Sequence, residues 1–328
     1  MQVQALNIPG AVDSDIRNIN PRRELESCNH LLDNPAAIKR FYDENGYLLA
    51  RDVLNKKSVE QARDLMLAVA AKEGLIKPGD INAVWTGKPP VTGLEEDACF
   101  HGVSTAIFAR EDNLKVLGKL LGETPCFVPL VQHRIYPPSG QVTLVHQDGF
   151  YSAGIPDYRP VWITLTTCQR EVGGLMIAVG QNNRGYLHNL AKPAPYPIPA
   201  DAIPLDSWAT TDYYPGDVLI VHPYAPHASM PNTSNRLRVS FDTRVQASAH
   251  PTAFAGNAVT VTPNSITMDI PQLGRRTFRV DSSSFVRVRD PGTSEPFEQF
   301  TNNVKPGMRL MIVIDGDRAQ TLRKAAEA

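Results

Sequence analysis

The feature that most constrains the fold is a series of short β-type runs that begins after Gly122. Each run is rich in Val, Ile, Thr and aromatic residues and is bounded by turn residues. The runs are 126–136, 142–146, 160–168, 174–179, 211–214, 217–222 and 236–245. Short strands at regular spacing are typical of two packed sheets or of a barrel. The pattern therefore predicts a mostly β fold with a double-sheet jelly-roll core.

The run at residues 161–166 alternates clearly, which indicates how one sheet is oriented. Successive side chains of a strand point to opposite faces of the sheet. We expect Val161, Ile163 and Leu165 to pack against helices. Trp162, Thr164 and Thr166 are then expected to face a polar-lined interior.

The first third of the chain has helical patterns that would back this sheet. Asn34 followed by Pro35 is typical of a helix start, and Gly46 is typical of its end. The capping box that begins at Ser58 predicts a second helix, and a third is predicted over 112–121. The Pro- and Gly-punctuated segment 75–108 is predicted to be a loop.

Three segments follow from these patterns. Residues 1–33 are interpreted as an N-terminal extension and residues 34–249 as one domain of helices and jelly-roll core. Residues 250–328 contain further strand-like runs, and we interpret them as a β-rich appendage of the same fold. Within that appendage the segment 318–326 is predicted to be a terminal helix.

Composition narrows the class of partner. The formal net charge of −1, with acidic and basic residues interleaved, argues against nucleic-acid and membrane-surface binding, which would need a basic patch. The four cysteines are scattered, and no apolar run approaches the ~18 residues of a membrane helix. The N-terminus also lacks the pattern of a signal peptide. We therefore expect a cytoplasmic protein with a small-molecule partner, and we leave a homodimer open.

One short motif carries metal-binding chemistry. His146 and Asp148 are two residues apart in the segment His-Gln-Asp-Gly. At the end of a strand this spacing puts an imidazole and a carboxylate on the same side of the backbone, where they can bind one cation. A second histidine would complete the two-His, one-carboxylate triad of iron(II) oxygenases.

The segment 215–229 offers two candidates for that second histidine, His222 and His227. The next strand carries Arg236 and Arg238 on one face, and alternation alone does not choose between them. A buried arginine on the inner face needs an anion, and a guanidinium matches a carboxylate bidentately. This is the requirement for binding the far carboxylate of 2-oxoglutarate.

Over residues 35–245 the chain resembles the phytanoyl-CoA dioxygenase family of iron(II)- and 2-oxoglutarate-dependent oxygenases, which have a double-stranded β-helix core. The resemblance is carried by the His-Gln-Asp-Gly motif, by Gly173-Gly174-Leu175, by Gly216-Asp217-Val218-Leu219 and by the distal histidine and arginine. In the family's pattern a serine follows the distal histidine by two residues and the arginine follows it by eleven. His227, Ser229 and Arg238 fit this spacing.

The resemblance implies roles for these residues. His146, Asp148 and His227 would hold Fe(II) and form the catalytic centre, with 2-oxoglutarate and O2 as co-substrates. Arg238 and Ser229 would bind 2-oxoglutarate, although a structural turn hydroxyl is the alternative for Ser229. Trp162 matches an aromatic that lines the co-substrate pocket in relatives, although a plain core role is the alternative. An intact carboxylate at Asp148 favours hydroxylation of a C–H bond in a small molecule or another oxidation, namely desaturation, ring rearrangement or endoperoxide formation. Secondary-metabolite biosynthesis is the expected setting.

Four residues near the motifs are candidates for substrate contacts: Tyr151, Tyr224, Gln132 and Arg134. Packing of the tyrosines and a salt-bridged Arg134 are the alternatives. Tyr136 stands where many relatives have lysine, which affects the co-substrate pocket and not the metal ligands. Two other functions use the same residues, namely a jelly-roll binding protein with a vestigial site and a zinc hydrolase.

Overall fold

The computed structural model describes residues 19–89, 102–138, 142–151, 158–192, 196–287 and 300–325. The chain forms two compact units. The first is built from Met1–Thr124, Gln132–Tyr151 and Arg159–Asp242, and the second from Pro125–Val131, Ser152–Tyr158 and Thr243–Ala328. The segment boundaries at residues 33 and 249 stay a prediction.

The helices of the described residues are α1 (Pro35–Asn45), α2 (Lys56–Lys72), α3 (Val103–Phe108), α4 (Glu111–Leu121), α5 (Asp148–Tyr151) and α6 (Phe300–Asn303). The strands are β1 (Arg23–Glu24), β2 (Tyr47–Ala50), β3 (Pro125–Tyr136), β4 (Arg159–Thr164), β5 (Leu175–Ala178), β6 (Trp208–Thr210), β7 (Val218–Val221), β8 (His227–Ser229), β9 (Arg238–Ala247), β10 (Ala253–Thr262), β11 (Ser265–Ile270), β12 (Gly274–Arg279), β13 (Phe285–Arg287), β14 (Arg309–Asp315) and β15 (Arg318–Lys324).

Local chemistry accounts for the helix ends. The Ala37 amide donates to Asn34 Oδ1 at 3.1 Å, and Gly46 takes the left-handed conformation at φ 80°, so α1 begins and ends where the sequence predicts. The predicted start of α2 at Ser58 is wrong. Asn55 caps this helix by accepting from the Ser58 amide, and α2 begins at Lys56.

Two sheets enclose the core of the first unit. The five-stranded sheet has the order β2-β7-β4-β9-β3, and the four-stranded sheet has the order β1-β6-β5-β8. One apolar cluster joins their inner faces. The five-stranded sheet contributes Leu49, Trp162 and Leu219, and the four-stranded sheet contributes Leu175, Ile177 and Ala209. This is the double-stranded β-helix that the strand rhythm predicts, and Trp162 faces its interior.

The helices cover the outer face of the five-stranded sheet. Tyr42 of α1 donates to the Val221 carbonyl, and Arg159 of β4 donates to the carbonyl of Leu120 in α4. Phe108 of α3 makes an edge contact with Phe241 of β9, with ring centroids 5.9 Å apart. Helix α3 lies within the segment predicted to be a loop, so that prediction is wrong at 103–108.

The second unit contains a closed barrel. Strands β12, β11, β10, β14 and β15 pair in that order, and a parallel pairing of β12 with β15 closes the ring. In chain order the five barrel strands are β10, β11, β12, β14 and β15, so the parallel pair is formed by the third and the fifth. This is the five-stranded Greek-key arrangement of OB-type barrels. Its interior is filled by apolar side chains that include Phe254, Ile266, Met268, Phe278 and Ile312.

The last strand corrects the predicted terminal helix at 318–326. β15 pairs antiparallel with β14 and parallel with β13. Ala319, Thr321 and Leu322 are buried in it. The sequence Arg-Ala-Gln-Thr-Leu-Arg-Lys has ordinary helix propensity, but pairing with neighbouring strands overrides that local preference. In the part of the chain that the structure describes, no helix has the length and apolarity to cross a membrane.

Candidate metal centre

The His-Gln-Asp-Gly segment is held against the strand that carries the second histidine. His146 and His227 form an antiparallel bridge in which each amide donates to the other's carbonyl at 3.0 Å. Asp148 begins α5, and the Gly149 amide donates to the Pro223 carbonyl at 2.8 Å. A Cβ at Gly149 would lie 3.1 Å from that carbonyl oxygen, so a glycine fits this close approach.

This arrangement brings three metal-ligand side chains together. The ligand atoms of His146, Asp148 and His227 all lie within 4.8 Å of one another. His146 Nε2 is 3.3 Å from Asp148 Oδ1, and the two imidazole centroids are 4.2 Å apart. Asp148 and His227 are buried, and His146 is partly exposed.

Backbone carbonyls orient both imidazoles. His146 Nδ1 is 2.8 Å from the Leu144 carbonyl, and His227 Nδ1 is 3.0 Å from the Ala225 carbonyl. A carbonyl can only accept, so in each ring Nδ1 carries the hydrogen and Nε2 keeps its lone pair. Burial, reinforced by the neighbouring His146, lowers the pKa of His227 to about 4. His227 is therefore neutral near pH 7 and ready to bind a cation.

The structure separates the two candidates for the second histidine. His222 lies outside the cluster of ligand atoms: its Nδ1 accepts from the Tyr224 amide at 3.1 Å, and its ring lies 5.1 Å from that of Tyr42. Burial and the nearby Arg159 lower the pKa of His222. His222 therefore belongs to the packing between α1 and β7.

Arg238, the first residue of β9, has a charged side chain that is buried. Its side chain is 2% exposed, and its Nη1 donates at 2.8 Å to Ser229 Oγ and at 2.8 Å to the Gly173 carbonyl. The Tyr136 ring lies 4.3 Å from the guanidinium carbon. Burial lowers the pKa of Arg238. Among the described residues no carboxylate forms a salt bridge with it, and its Nε has no hydrogen-bond partner.

Arg236, the rival on the same strand face, has partners of its own. Its Nη2 donates to Gln169 Oε1 at 2.8 Å and lies 3.5 Å from Glu171 Oε1. Arg236 is therefore matched by these groups and is less buried than Arg238.

The substrate candidates on β3 form a network. Arg134 Nε donates to Asp242 Oδ1 at 3.1 Å, while its Nη2 donates to Gln132 Oε1 at 2.5 Å and its Nη1 to the Tyr136 hydroxyl at 3.2 Å. Gln132 is exposed and Arg134 is partly buried. Gln132 and Arg134 thus share one face, with Arg134 salt-bridged to Asp242.

The aromatic candidates lie in different places. Trp162 is 5% exposed and packs edge-to-face on Tyr213 at 5.0 Å within the inter-sheet core. Tyr224 is 37% exposed and lies 4.9 Å from the Tyr186 ring. Tyr151 is the last residue of α5, and its side chain lies outside the described residues.

Three residues that support this site were not recognised from the sequence: Asp242, Gln147 and His188. For Asp242 a signal existed, because it follows Arg238 by four residues on β9 and therefore lies on the same face of that strand. His188 lies forty residues from the motif, and no local pattern connects the two.

The comparisons with known proteins agree with this geometry. The family model described as phytanoyl-CoA dioxygenase (PhyH) matches residues 42–240. The chain is 32% identical over 260 residues to 1-deoxypentalenic acid 11-beta-hydroxylase of Streptomyces exfoliatus, covering 73% of this chain and 89% of that protein. This chain belongs to the phytanoyl-CoA dioxygenase family.

The hydroxylase of the same name from Streptomyces arenae is 31% identical over 259 residues, covering 73% of this chain and 89% of its own length. Among solved structures, the non-heme alpha-ketoglutarate-dependent carbocyclase SnoK from nogalamycin biosynthesis has a TM-score of 0.47 and 20% identity, covering 66% of this chain and 85% of its own. As a family member with this metal centre, the chain is an oxygenase that depends on iron(II) and 2-oxoglutarate.

The residues present fit both iron(II) and 2-oxoglutarate. Two imidazole nitrogens and one carboxylate are the donor set of the iron(II) facial triad, which leaves positions open for a co-substrate. The buried Arg238, with an unpaired Nε and no salt bridge to a carboxylate in the described part of the chain, fits a carboxylate-bearing molecule.

Proposed function

We propose that His146, Asp148 and His227 hold the iron(II) of this oxygenase. The observation that carries this assignment is the convergence of three ligand atoms within 4.8 Å, with both histidines oriented by backbone carbonyls. Because Nδ1 of each ring is already engaged, each histidine offers Nε2 to the metal. Asp148 supplies the negative charge that offsets part of the cation's charge.

Arg238 and Ser229 are proposed to bind the far carboxylate of 2-oxoglutarate. Ser229 is two residues after His227 on β8, so both side chains lie on the same face of that strand. The Ser229 hydroxyl accepts from Arg238 Nη1 and thereby orients the guanidinium on this face. The stacked Tyr136 ring restrains the guanidinium plane further. Trp162 is proposed to border the co-substrate pocket from within the inter-sheet core.

The reaction that this site supports best is hydroxylation of a C–H bond in a small molecule. Iron(II) with 2-oxoglutarate and O2 supplies the oxidising power, with succinate and CO2 as co-products. The protein's own residues position the co-substrate and keep water away from the centre. The relatives at 32% and 31% identity are named as hydroxylases of 1-deoxypentalenic acid, which supports hydroxylation and a role in secondary-metabolite biosynthesis.

Four residues are proposed to contact the substrate: Gln132, Arg134, Tyr151 and Tyr224. The support is strongest for Arg134, which is partly buried and is held rigidly by Asp242 and the Tyr136 hydroxyl. Because Asp242 already matches the charge of this guanidinium, it suits a neutral polar group of the substrate. A homodimer and a cytoplasmic location stay predictions.

Succinate release tests the function. The purified chain is incubated with iron(II), 2-oxoglutarate and O2, alone and with a panel of small organic acids that includes 1-deoxypentalenic acid. We expect iron-dependent succinate release that a matching substrate increases, and a hydroxylated product by mass spectrometry. Asp148→Ala should reduce both to background, while the exposed Asp206→Ala should leave both unchanged.

Two results would contradict the proposal. If Asp148→Ala kept its turnover, Asp148 would not be a ligand of the metal. Hydrolysis of a substrate without O2 and without 2-oxoglutarate would instead favour the zinc hydrolase, a mechanism in which Arg238 would have no role.

A further inference from the structure

Gln147 separates two of the proposed metal ligands, and its own side chain is fully buried. Its Nε2 donates to the Gly185 carbonyl at 2.8 Å and to the Tyr224 carbonyl at 2.7 Å, while its Oε1 accepts from the Leu187 amide at 2.7 Å. Both donor hydrogens of the amide group are thus used, and its oxygen is satisfied as well. Such a fully satisfied amide fixes the rotamer of Gln147 and the backbone that carries it.

His188 binds the backbone of the same residue. The Gln147 amide donates to His188 Nε2 at 3.1 Å, and His188 Nδ1 lies 2.7 Å from the Tyr196 carbonyl. The imidazole therefore carries its hydrogen on Nδ1 and accepts through Nε2. Its ring is stacked on Phe150 at 4.0 Å with an interplanar angle of 14°, which fixes the orientation of that lone pair.

These bonds tie three segments together around the proposed triad. The carbonyl of Tyr224 lies in the turn that leads to His227, so Gln147 connects the segment of the first two ligands to the segment of the third. The loop at 185–188 meets the same residue from another direction. A metal site keeps its affinity only when its ligands stay close to their binding geometry, and residues outside the ligand set often maintain it.

We propose that Gln147 and His188 are positioning residues that hold His146, Asp148 and His227 in register for the metal. This inference rests on the proposed function of the triad and deepens it. Neither residue binds the metal. Gln147 fixes the spacing between the ligand-bearing segments, and His188 fixes the backbone amide between His146 and Asp148. The loop around 185–188 is thereby part of the metal centre.

A matched pair of glutamines tests the first half of the inference. Gln246 is also buried, at 2% exposure, and it also binds backbone: its Nε2 donates to the Ala253 carbonyl and its Oε1 accepts from the Thr252 and Ala253 amides. Gln147→Met and Gln246→Met therefore remove comparable sets of hydrogen bonds. Affinity of the full-length apoprotein for Mn²⁺, used as a redox-stable probe, is measured by calorimetry, together with the melting temperature.

We expect Gln147→Met to weaken Mn²⁺ binding about tenfold to a hundredfold, the usual range for lost support of metal ligands. Gln246→Met should lower the melting temperature and leave Mn²⁺ affinity unchanged. Equal Mn²⁺ affinity in both variants, whether retained or lost, would overturn the inference, because the effect would then be absent or a general loss of packing.

Two substitutions of His188 test the second half and do not depend on the folding of Gln147→Met. His188→Phe keeps an aromatic ring on Phe150 but removes the acceptor, whereas His188→Gln keeps an acceptor for the Gln147 amide. We expect His188→Phe to bind Mn²⁺ about tenfold more weakly than the unmodified chain, and His188→Gln to recover most of that loss. The same affinity in both variants would contradict the role of the hydrogen bond.

The failure of this inference is distinguishable from the failure of the proposed function. If the unmodified chain binds Mn²⁺ and the Gln147 and His188 variants bind it equally well, the triad stands and the positioning role is wrong. If the unmodified chain itself does not bind Mn²⁺, both the triad assignment and the inference that rests on it are overturned.

Discussion

The interior beside the metal centre and the interior of the β10–β15 barrel are built in opposite ways. The first holds buried ionisable groups, namely Asp148, His227 and the 2%-exposed Arg238. The second is filled mainly by apolar side chains, among them Phe254, Ile312 and Leu322. Burying an apolar side chain stabilises a fold, whereas burying a charge without a charged partner costs free energy.

The difference indicates which parts of the molecule serve stability and which serve chemistry. A guanidinium that is kept in the interior without a carboxylate is unfavourable unless a ligand supplies the charge. Among the described residues of strands β10–β15, no charged side chain is buried. We therefore expect substitutions at the metal centre to change ligand binding more than stability, and substitutions in the barrel core to do the reverse.

The largest effect is expected for Arg238→Met. Loss of the charge should weaken 2-oxoglutarate binding by about 2–5 kcal/mol, which is roughly 30-fold or more. The melting temperature of the apoprotein should stay the same or rise, because the lost bonds to Ser229 and Gly173 are offset by relief of the buried charge. Calorimetry with 2-oxoglutarate and a thermal melt measure the two quantities.

Arg236→Met is the matched control, because Arg236 lies two residues before Arg238 in the sequence. Arg236 already interacts with Gln169 and Glu171, so 2-oxoglutarate affinity should be unchanged in that variant. If Arg236→Met lost the affinity and Arg238→Met kept it, the assignment of the anchor would be reversed.

The second effect is expected in the barrel. Ile312 is fully buried in its core, and Ile312→Ala should lower the free energy of unfolding by about 3 kcal/mol through lost burial and the cavity left behind. Succinate release per folded molecule should not change, because no proposed site residue lies on β10–β15. Ile312→Val should cost about 1 kcal/mol in the same denaturant titration. A specific loss of turnover at full folding would show that the barrel takes part in catalysis.

A smaller effect concerns the pH dependence of stability. Burial lowers the pKa of His133 on β3 to about 4, whereas an unfolded histidine titrates near 6.5. The unfolded chain therefore binds more protons between these values, and His133 makes stability fall as pH decreases, by about 2 kcal/mol between roughly pH 7 and 5. Denaturant titrations of His133→Phe should show a flatter pH profile, while the exposed His30→Gln should keep the profile of the unmodified chain. An unchanged profile in His133→Phe would contradict this contribution.

Much of the architecture could be predicted from periodicity. The alternation at 161–166 predicts which side chains of β4 face the interior, because strand side chains alternate with a period of two. The runs around β3, β5, β7 and β9 predict the presence of those strands. Strand β8 was missed since its three residues are too short for any period to show. The terminal strand β15 was missed because pairing with distant strands, which no local pattern records, overrides helix propensity.

The metal-ligand residues could be predicted from the sequence more fully than the residues that hold them in place. The spacing of His146 and Asp148 is a local signal, and the family pattern connects them with His227 and Arg238. The sequence alone left His222 as a rival, which the structure places against Tyr42. Partners such as His188 and Asp242 come from distant parts of the chain, so only the folded geometry shows their hydrogen bonds and ion pairs.

Crystals grown anaerobically with iron(II) and 2-oxoglutarate, with diffraction recorded on both sides of the iron absorption edge, would locate the metal and its ligands directly. We predict one anomalous peak within coordinating distance of His146 Nε2, His227 Nε2 and a carboxylate oxygen of Asp148. Electron density for 2-oxoglutarate should extend from that peak to the guanidinium of Arg238. A peak elsewhere, or a co-substrate that does not reach Arg238, would contradict the central claim.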